Sequence, residues 1–93
     1  MIKVPQQFID FVEGFYEPIP GPPLDFDLWV KQRASFMQPA EIRAVRQALD
    51  QMLSGKYSDQ ELQQAWMIGT PLYGAAAGQY RLFLTMIRKA LGT

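Results

Sequence analysis

The fold of this chain is decided by residues 53–92, which read LSGKYSDQELQQAWMIGTPLYGAAAGQYRLFLTMIRKALG. Ser58 and Glu61 have the Ser-x-x-Glu spacing of a capping box, in which each side chain accepts a hydrogen bond from the other residue's backbone N–H. Tyr57 and Leu62 flank this box and are placed to form the apolar pair that often packs across a helix start. These residues therefore mark the beginning of a helix.

This helix is predicted to run from Asp59 to about Met67, because Gly69-Thr70-Pro71 follows and proline restrains the residue before it. Residues 72–78 are predicted to form a loop, and the next helix is expected to begin near Gln79. Its apolar residues recur at spacings of three and four, typical of one buried helical face: Tyr80, Phe83, Leu84, Ile87 and Leu91. Gly92 can supply a left-handed cap at its C-terminal end.

An earlier helix is predicted from Pro5 to Tyr16 or Glu17, with Pro5 at its first helical position. Its inward residues recur at helical spacing: Phe8, Phe11, Val12 and Phe15. Residues 18–23, PIPGPP, contain four prolines and one glycine. That composition excludes a continuing helix and favours an extended connector.

Two further helices are predicted between this connector and residue 55. Asp25 is placed to cap the first of them, and Asp27 with Lys31 is an acid-to-base pair one turn apart. Its inward stripe is formed by Phe26, Trp29, Val30 and either Phe36 or Met37. The second opens at Pro39 with Glu41 in its first turn and is ended by Gly55. Its buried side is formed by Ile42, Val45, Leu49, Met52 and Leu53.

The pattern as a whole predicts an all-α protein, a compact single-domain bundle of about five helices covering residues 1–93. No stretch shows the strict alternation that a half-buried strand requires. A chain of 93 residues is long enough to bury one hydrophobic core without disulfides. No internal repeat indicates a second unit.

Composition excludes several kinds of active site. The chain contains neither cysteine nor histidine, which removes thiolate nucleophiles, Cys-based zinc sites and the commonest general base. No phosphate-binding loop or metal-binding spacing is present. Pairs such as Glu13 with Glu17, or Asp25 with Asp27, could hold magnesium or act as acid and base, but helix capping and surface charge explain them as well. We therefore expect no enzymatic activity, no cofactor and no metal.

The expected location is the cytoplasm. The N-terminus lacks an apolar stretch of signal-peptide length, and the absence of cysteine suits a reducing compartment. Residues 62–80 carry no charge, but their glutamine, glycine, threonine and proline residues would leave hydrogen-bonding groups unsatisfied in lipid. We interpret that stretch as a helix end and a loop, and expect no membrane contact.

The nine basic and nine acidic residues of the chain balance to zero, yet they are unevenly distributed. Residues 1–30 contain five acids and one base, a balance of −4, and residues 31–93 contain four acids and eight bases, a balance of +4. The five acids are Asp10, Glu13, Glu17, Asp25 and Asp27. They are compatible with a docking patch for a cationic partner, and equally with an ordinary solvated helix face.

Aromatic residues with a polar atom are enriched at binding hot spots. Tyr16 and Tyr73 are the candidates for exposed anchors, Tyr73 because it lies in a loop rich in glycine and alanine. Trp29 and Trp66 lie on apolar helical stripes and are expected in the core. A helix-turn-helix built on residues 39–67 is disfavoured as a DNA reader, because its second helix carries acids and no base.

Much of the chain also resembles a known family, the CdiI-type immunity proteins of bacterial contact-dependent growth inhibition. The resemblance is carried by Ser54-Gly55, Ser58-Asp59-Gln60-Glu61-Leu62, Trp66 and Tyr80-Arg81-x-Phe83-Leu84-x-x-Ile87-Arg88-x-x-Leu91. More loosely, residues 11–16 (FVEGFY) and Asp25-Phe26-Asp27-x-Trp29 are similar to that family's opening helix and the turn after it. The proline-rich residues 18–23 depart from the pattern.

The resemblance implies a protein that binds and neutralises the C-terminal toxin domain of a cognate secreted effector, a nuclease in our interpretation. Its partner-binding residues would then be Glu13, Tyr16, Glu17, Asp25, Asp27 and Tyr73. No direct nucleic-acid partner is expected. The alternative is a helical adaptor or regulator outside any toxin system, and the two differ in gene context, because an immunity gene lies directly downstream of a very large exported effector.

Replacing the cap residue tests the predicted start of the helix at Asp59. The Ser58→Ala variant should lose about 1 kcal/mol of unfolding free energy, because the backbone N–H of Glu61 loses its acceptor. The measurement is a thermal melt of variant and parent. Superimposable melting curves would contradict this helix start.

Overall fold

The computed structural model describes residues 3–15, 26–71 and 74–92. These residues form five α-helices and no strand, as the sequence predicts. The helices are α1 (Gln6–Glu13), α2 (Phe26–Ala34), α3 (Pro39–Met52), α4 (Asp59–Met67) and α5 (Tyr80–Leu91). The radius of gyration is 12.2 Å, as expected for a compact fold of this length, for which about 12 Å is typical.

The first helix is shorter than the sequence pattern predicts. Pro5 lies at the N-cap with extended backbone angles (φ −71°, ψ 160°), one residue before the first helical position. At the other end the Gly14 N–H donates to the carbonyls of both Asp10 and Phe11, and Phe15 donates to Val12. These short-range bonds tighten the last turn, so the helix ends at Glu13. The predicted ends at Tyr16 or Glu17 are wrong.

The helix starts at α3 and α4 rest on side-chain caps. The predicted box at α4 is confirmed, because Glu61 N donates to Ser58 Oγ at 3.2 Å and Ser58 N donates to Glu61 Oε1 at 3.0 Å. Pro39 opens α3 as predicted, and Gln38 N donates to Glu41 Oε1 at 2.8 Å. A neighbouring acid in the first turn thus satisfies a backbone donor at both starts.

The helix ends are set by different local geometry. Helix α3 ends at Met52, and Gly55, with φ of +97°, lies in the turn beyond it. Gly92 caps α5 with positive φ (+73°), but its ψ of −161° places it outside the left-handed helical region that the sequence suggests. Helix α4 ends at Met67 as predicted.

Helix α5 occupies the centre of the bundle and packs against α2, α3 and α4, while α1 packs against α3. Its predicted stripe is buried at Tyr80, Phe83, Leu84 and Ile87, and Leu91 is half-buried against the core. The turn that follows α4 meets α1 at the buried Gly69. A Cβ there would lie 2.8 Å from Val12 Cγ1, so this close approach depends on glycine.

Five aromatic rings form a closed circuit through the core, which we call the aromatic circuit. Phe15 contacts Trp29 (centroids 4.4 Å apart), Trp29 contacts Phe26 (5.5 Å) and Phe26 contacts Phe83 (5.9 Å). Phe83 meets Trp66 edge to face (4.9 Å), and Trp66 closes the circuit against Phe15 (5.8 Å). The circuit joins the end of α1 to α2, α4 and α5, and the prediction that both tryptophans lie in the core is confirmed.

The N-terminal ends of α4 and α5 are held together by polar contacts. Gln79, the N-cap of α5, makes no side-chain cap bond. Instead Arg81 N donates to Asp59 Oδ1 at 2.8 Å, and the Arg81 guanidinium donates to the Tyr57 carbonyl. Asp59, at the first position of α4, therefore caps the start of α5, while Ser58 caps α4.

The stripe predicted for α2 is correct in part. Trp29 and Val30 are buried, and Phe26 and Met37 pack partly buried against the core. Phe36, the alternative to Met37, is instead 85% exposed. The expected Asp27–Lys31 pair does not form; both side chains are exposed.

The aromatic circuit predicts that the same Phe→Ala substitution changes the stability of the protein by very different amounts at two positions. Phe15→Ala should lower the free energy of unfolding by about 3–5 kcal/mol, because it removes a buried ring and leaves a cavity. Phe36→Ala is the matched control and should change stability by less than about 0.5 kcal/mol, as exposed positions do. Urea denaturation of both variants measures the contrast. Similar losses would contradict the burial described here.

Candidate docking groove between the first two helices

An open groove of about 780 Å³ lies between the end of α1 and the C-terminal half of α2. Its base is formed by the buried rings Phe15 and Trp29 of the aromatic circuit. Exposed side chains on its rim include Asp10 and Glu13 from α1 and Phe36 from the turn after α2. We call this feature the α1–α2 groove.

Arg33 of α2 joins the two walls of the α1–α2 groove. Its Nε donates to the Phe11 carbonyl at 2.9 Å, and a terminal nitrogen donates to the Asp10 carbonyl at 2.7 Å. The guanidinium also lies 5.9 Å from the centroid of the Phe11 ring. Since the last turn of α1 contains no basic residue, a cation from the neighbouring helix binds the negative end of its dipole.

The position of Arg33 requires glycine at residue 14. A Cβ on Gly14 would lie 1.6 Å from Arg33 Nε and 2.0 Å from Cζ, so any larger residue would displace the guanidinium. The Gly14 backbone itself is ordinary, with φ −75° and ψ −8°. Glycine is needed here for space and not for conformation.

The acidic side of the rim is built on one face of α1. Asp10 and Glu13 are three residues apart and both are exposed, so they are neighbours on the helix surface. Gln6 Nε2 donates to Asp10 Oδ1 at 2.9 Å. Arg33, the base among the described residues that line the groove, directs two of its donors to backbone carbonyls.

The aromatic side of the rim is Phe36, which sequence reasoning did not assign to a site. It follows the last residue of α2 by two positions and lies in a tight turn, in which its N–H donates to the Arg33 carbonyl at 3.4 Å. The next residue, Met37, packs against the core. In this turn the Met37 side chain thus faces the core and the Phe36 side chain faces solvent.

The structure places two of the six predicted partner-binding residues. Glu13 lies on the rim of the α1–α2 groove, whereas Asp27 is exposed in the first turn of α2 and is not among the described residues that line the groove. The other four lie outside the described residues: Tyr16, Glu17, Asp25 and Tyr73.

A smaller cleft of about 380 Å³ lies beside the start of α4 and is lined by Asp59, Gln63 and Gly78, among others. Asp59 Oδ1 is engaged in capping α5, and its Oδ2 is buried without a hydrogen-bond partner. One acid at a helix junction is a structural cap, and the other described residues that line the cleft are two glutamines, an alanine and a glycine, which do not form a ligand site.

The described residues contain neither a cluster of metal-ligating side chains nor a membrane-spanning helix. Across residues 3–15, 26–71 and 74–92, no three acidic, histidine or cysteine side chains come together as a metal site would require. In the same ranges, none of the helices has the length and apolar character needed to cross a bilayer.

Comparison with protein-family models, with curated proteins and with solved structures yields no match. The resemblance to CdiI-type immunity proteins therefore depends on the motif residues alone.

The contact between Gly14 and Arg33 predicts a change of sign in a double-mutant cycle. In the parent, Gly14→Ala should destabilise by about 1–2 kcal/mol, because it breaks the hydrogen bonds of a charged group that is partly exposed. In an Arg33→Ala background the same change should stabilise by about 0.4–1 kcal/mol, because the backbone already suits alanine. Urea denaturation of the four proteins gives the coupling energy. Equal effects in both backgrounds would contradict the contact.

Proposed function

We propose that this protein is a cytoplasmic immunity protein that binds and neutralises the C-terminal toxin domain of a cognate contact-dependent inhibition effector. Binding itself is the mechanism, and no chemical step is required of the chain. The observation that carries the proposal is the α1–α2 groove, where exposed carboxylates and an exposed aromatic ring share one rim. The motif residues that resemble the CdiI-type family support it.

The chemistry of this rim suits tight and selective binding. Exposed carboxylates attract a cationic partner, which raises the association rate and disfavours wrong partners. A large aromatic side chain that becomes buried on binding supplies affinity. Phe36 is 85% exposed, so nearly all of its surface is available for burial by a partner.

The proposed toxin is a nuclease, and a nuclease binds its polyanionic substrate through a basic surface. An acidic rim placed against that surface competes with the phosphates. A stable complex of this kind buries on the order of 1,200–2,000 Å² in total. The α1–α2 groove would be the centre of such an interface, with surrounding α1 and α2 residues excluding water.

Growth rescue tests the proposal directly. The toxin domain is the C-terminal part of the large exported effector encoded directly upstream, expressed from an inducible promoter in a susceptible host. Cells that also express this chain should keep growing, and cells with an empty vector should stop. Arrest in both strains, with both proteins detected, would reject the proposed function.

Charge reversal on α1 tests whether the acidic rim residues attract the toxin domain. Glu13→Lys should slow association with the toxin domain at low salt, and the Glu13→Lys/Glu17→Lys double variant should slow it by about tenfold or more. The difference should shrink at high salt because screening removes long-range attraction. Stopped-flow binding at two ionic strengths measures it.

Asp50→Lys reverses one exposed acid on α3 outside the groove and is the control for Glu13→Lys. Asp50 accepts from Arg88 Nε at 2.7 Å in the parent, so a thermal melt must first show that this variant is folded. Parent-like association of the double variant at low salt would reject the role of the acidic rim.

A further inference from the structure

The α1–α2 groove has features that define the chemistry of its occupant more narrowly than the proposed function does. We propose that it accepts a segment of the partner protein in which an arginine or lysine lies next to an apolar side chain. The cation pairs with Asp10 and Glu13, and the apolar side chain packs against Phe36. This inference rests on the proposed function and deepens it.

The first step is the placement of the two acids. Asp10 and Glu13 are one helical turn apart on the exposed face of α1, so their carboxylates can converge on a single cation. A guanidinium is the best match, because its planar fork donates to two acceptors at once. The bond from Gln6 to Asp10 Oδ1 orients one of the two acceptors.

The second step is the role of Arg33. Its positive charge partly offsets the two negative charges of the rim, and it would also occupy the carboxylates of Asp10 and Glu13 if these accepted from its guanidinium donors. Two of these donors instead contact the carbonyl oxygens of Phe11 and Asp10. Those carbonyls form the negative end of α1, so Arg33 offsets the helix dipole and the two carboxylates remain for a partner.

The third step is the neighbouring apolar surface. Phe36 is 85% exposed at the rim, and the rings of Phe15 and Trp29 line the base. The volume of about 780 Å³ provides room for a few side chains of a partner segment. Because the acids lie on α1 and Phe36 follows α2, the occupant needs a cation and an apolar group side by side.

Other occupants fit less well. A second copy of this chain, seated symmetrically on the same groove, would bring two sets of Asp10 and Glu13 carboxylates into one interface, and like charges repel. A nucleic acid would bring phosphates to a rim that carries carboxylates. Charge complementarity therefore selects a cationic protein segment.

The test uses the full chain labelled with ¹⁵N and three short synthetic peptides. The first alternates arginine with leucine, the second replaces arginine with glutamate, and the third replaces leucine with serine. We expect the arginine–leucine peptide to shift the amide resonances of Glu13, Gln32 and Phe36 and to bind more tightly than the other two. Equal binding of the glutamate peptide, or shifts confined to other surfaces, would overturn the proposal.

Single-residue variants then test the aromatic and the acidic side of the groove separately. Phe36→Ala and Glu13→Gln should each weaken the arginine–leucine peptide by about fivefold or more, the lower limit for a residue that matters at an interface. Leu82→Ala is the control for the first, since Leu82 is 58% exposed on α5. Asp50→Asn is the control for the second; it gives up the ion pair of Asp50 with Arg88, so a thermal melt verifies its fold. Both controls should bind as the parent does. Sedimentation of the chain without peptide should show a monomer. Self-association of the parent that Phe36→Ala abolishes would identify a second copy as the occupant of the groove and would overturn the proposal.

The same variants separate this inference from the proposed function. The triple variant Phe36→Ala/Asp10→Asn/Glu13→Gln is compared with the parent in the growth-rescue experiment. If both rescue growth equally well, the protein is an immunity protein and the groove is not its contact site. If the parent fails to rescue but binds the arginine–leucine peptide at the groove, the cationic recognition holds and the toxin is not its partner.

Discussion

The fold depends on the aromatic circuit formed by Phe15, Phe26, Trp29, Trp66 and Phe83. Each ring contacts two others, and together they connect the end of α1 with α2, α4 and α5. Aromatic pairs in such tilted and edge-to-face arrangements add specific geometry to the hydrophobic burial of large rings. In a chain without disulfides, this cluster holds the end of α1, α2 and α4 to α5, while α3 packs against α1 and α5 through aliphatic residues such as Val45 and Leu49.

The circuit also determines the surface beside it. Burial of Phe15 fixes the position at which the chain leaves α1, and burial of Trp29 fixes α2 next to it. Arg33 then reaches the last carbonyls of α1 across the space that Gly14 leaves open. The α1–α2 groove is therefore a consequence of core packing. Its acidic and aromatic rim residues lie on α1 and in the turn after α2, and both segments are fixed by the buried residues beside them.

This arrangement suits a protein that acts by covering a partner. A preorganised surface loses little conformational freedom on binding, so more of the contact energy is expressed as affinity. Exposed charge favours encounter and selectivity, and an exposed aromatic side chain contributes affinity once it is buried. The groove combines these features at the junction of two helices, which is where the proposed contact with a cationic segment is made.

The sequence by itself determined the features that depend on residues close together in the chain. The capping box at Ser58, the bounds of α4 and the buried stripe of α5 follow from spacings of three and four residues, and all three are confirmed. The five-helix architecture follows from the same periodicity. Glu13 could be proposed as a contact residue because it lies on the polar face of an amphipathic helix.

Only the tertiary structure decided the features that depend on residues far apart in the chain. Arg33 binds carbonyls 22 and 23 residues before it, and Asp59 accepts from the backbone of Arg81, 22 residues after it. Phe36 and Met37 are equivalent by spacing, and the outward position of Phe36 depends on how α2 and α3 meet around the core. Local hydrogen bonding acts within one helical turn, whereas burial depends on which elements the whole chain brings together, and for that reason the groove could not be read from the pattern.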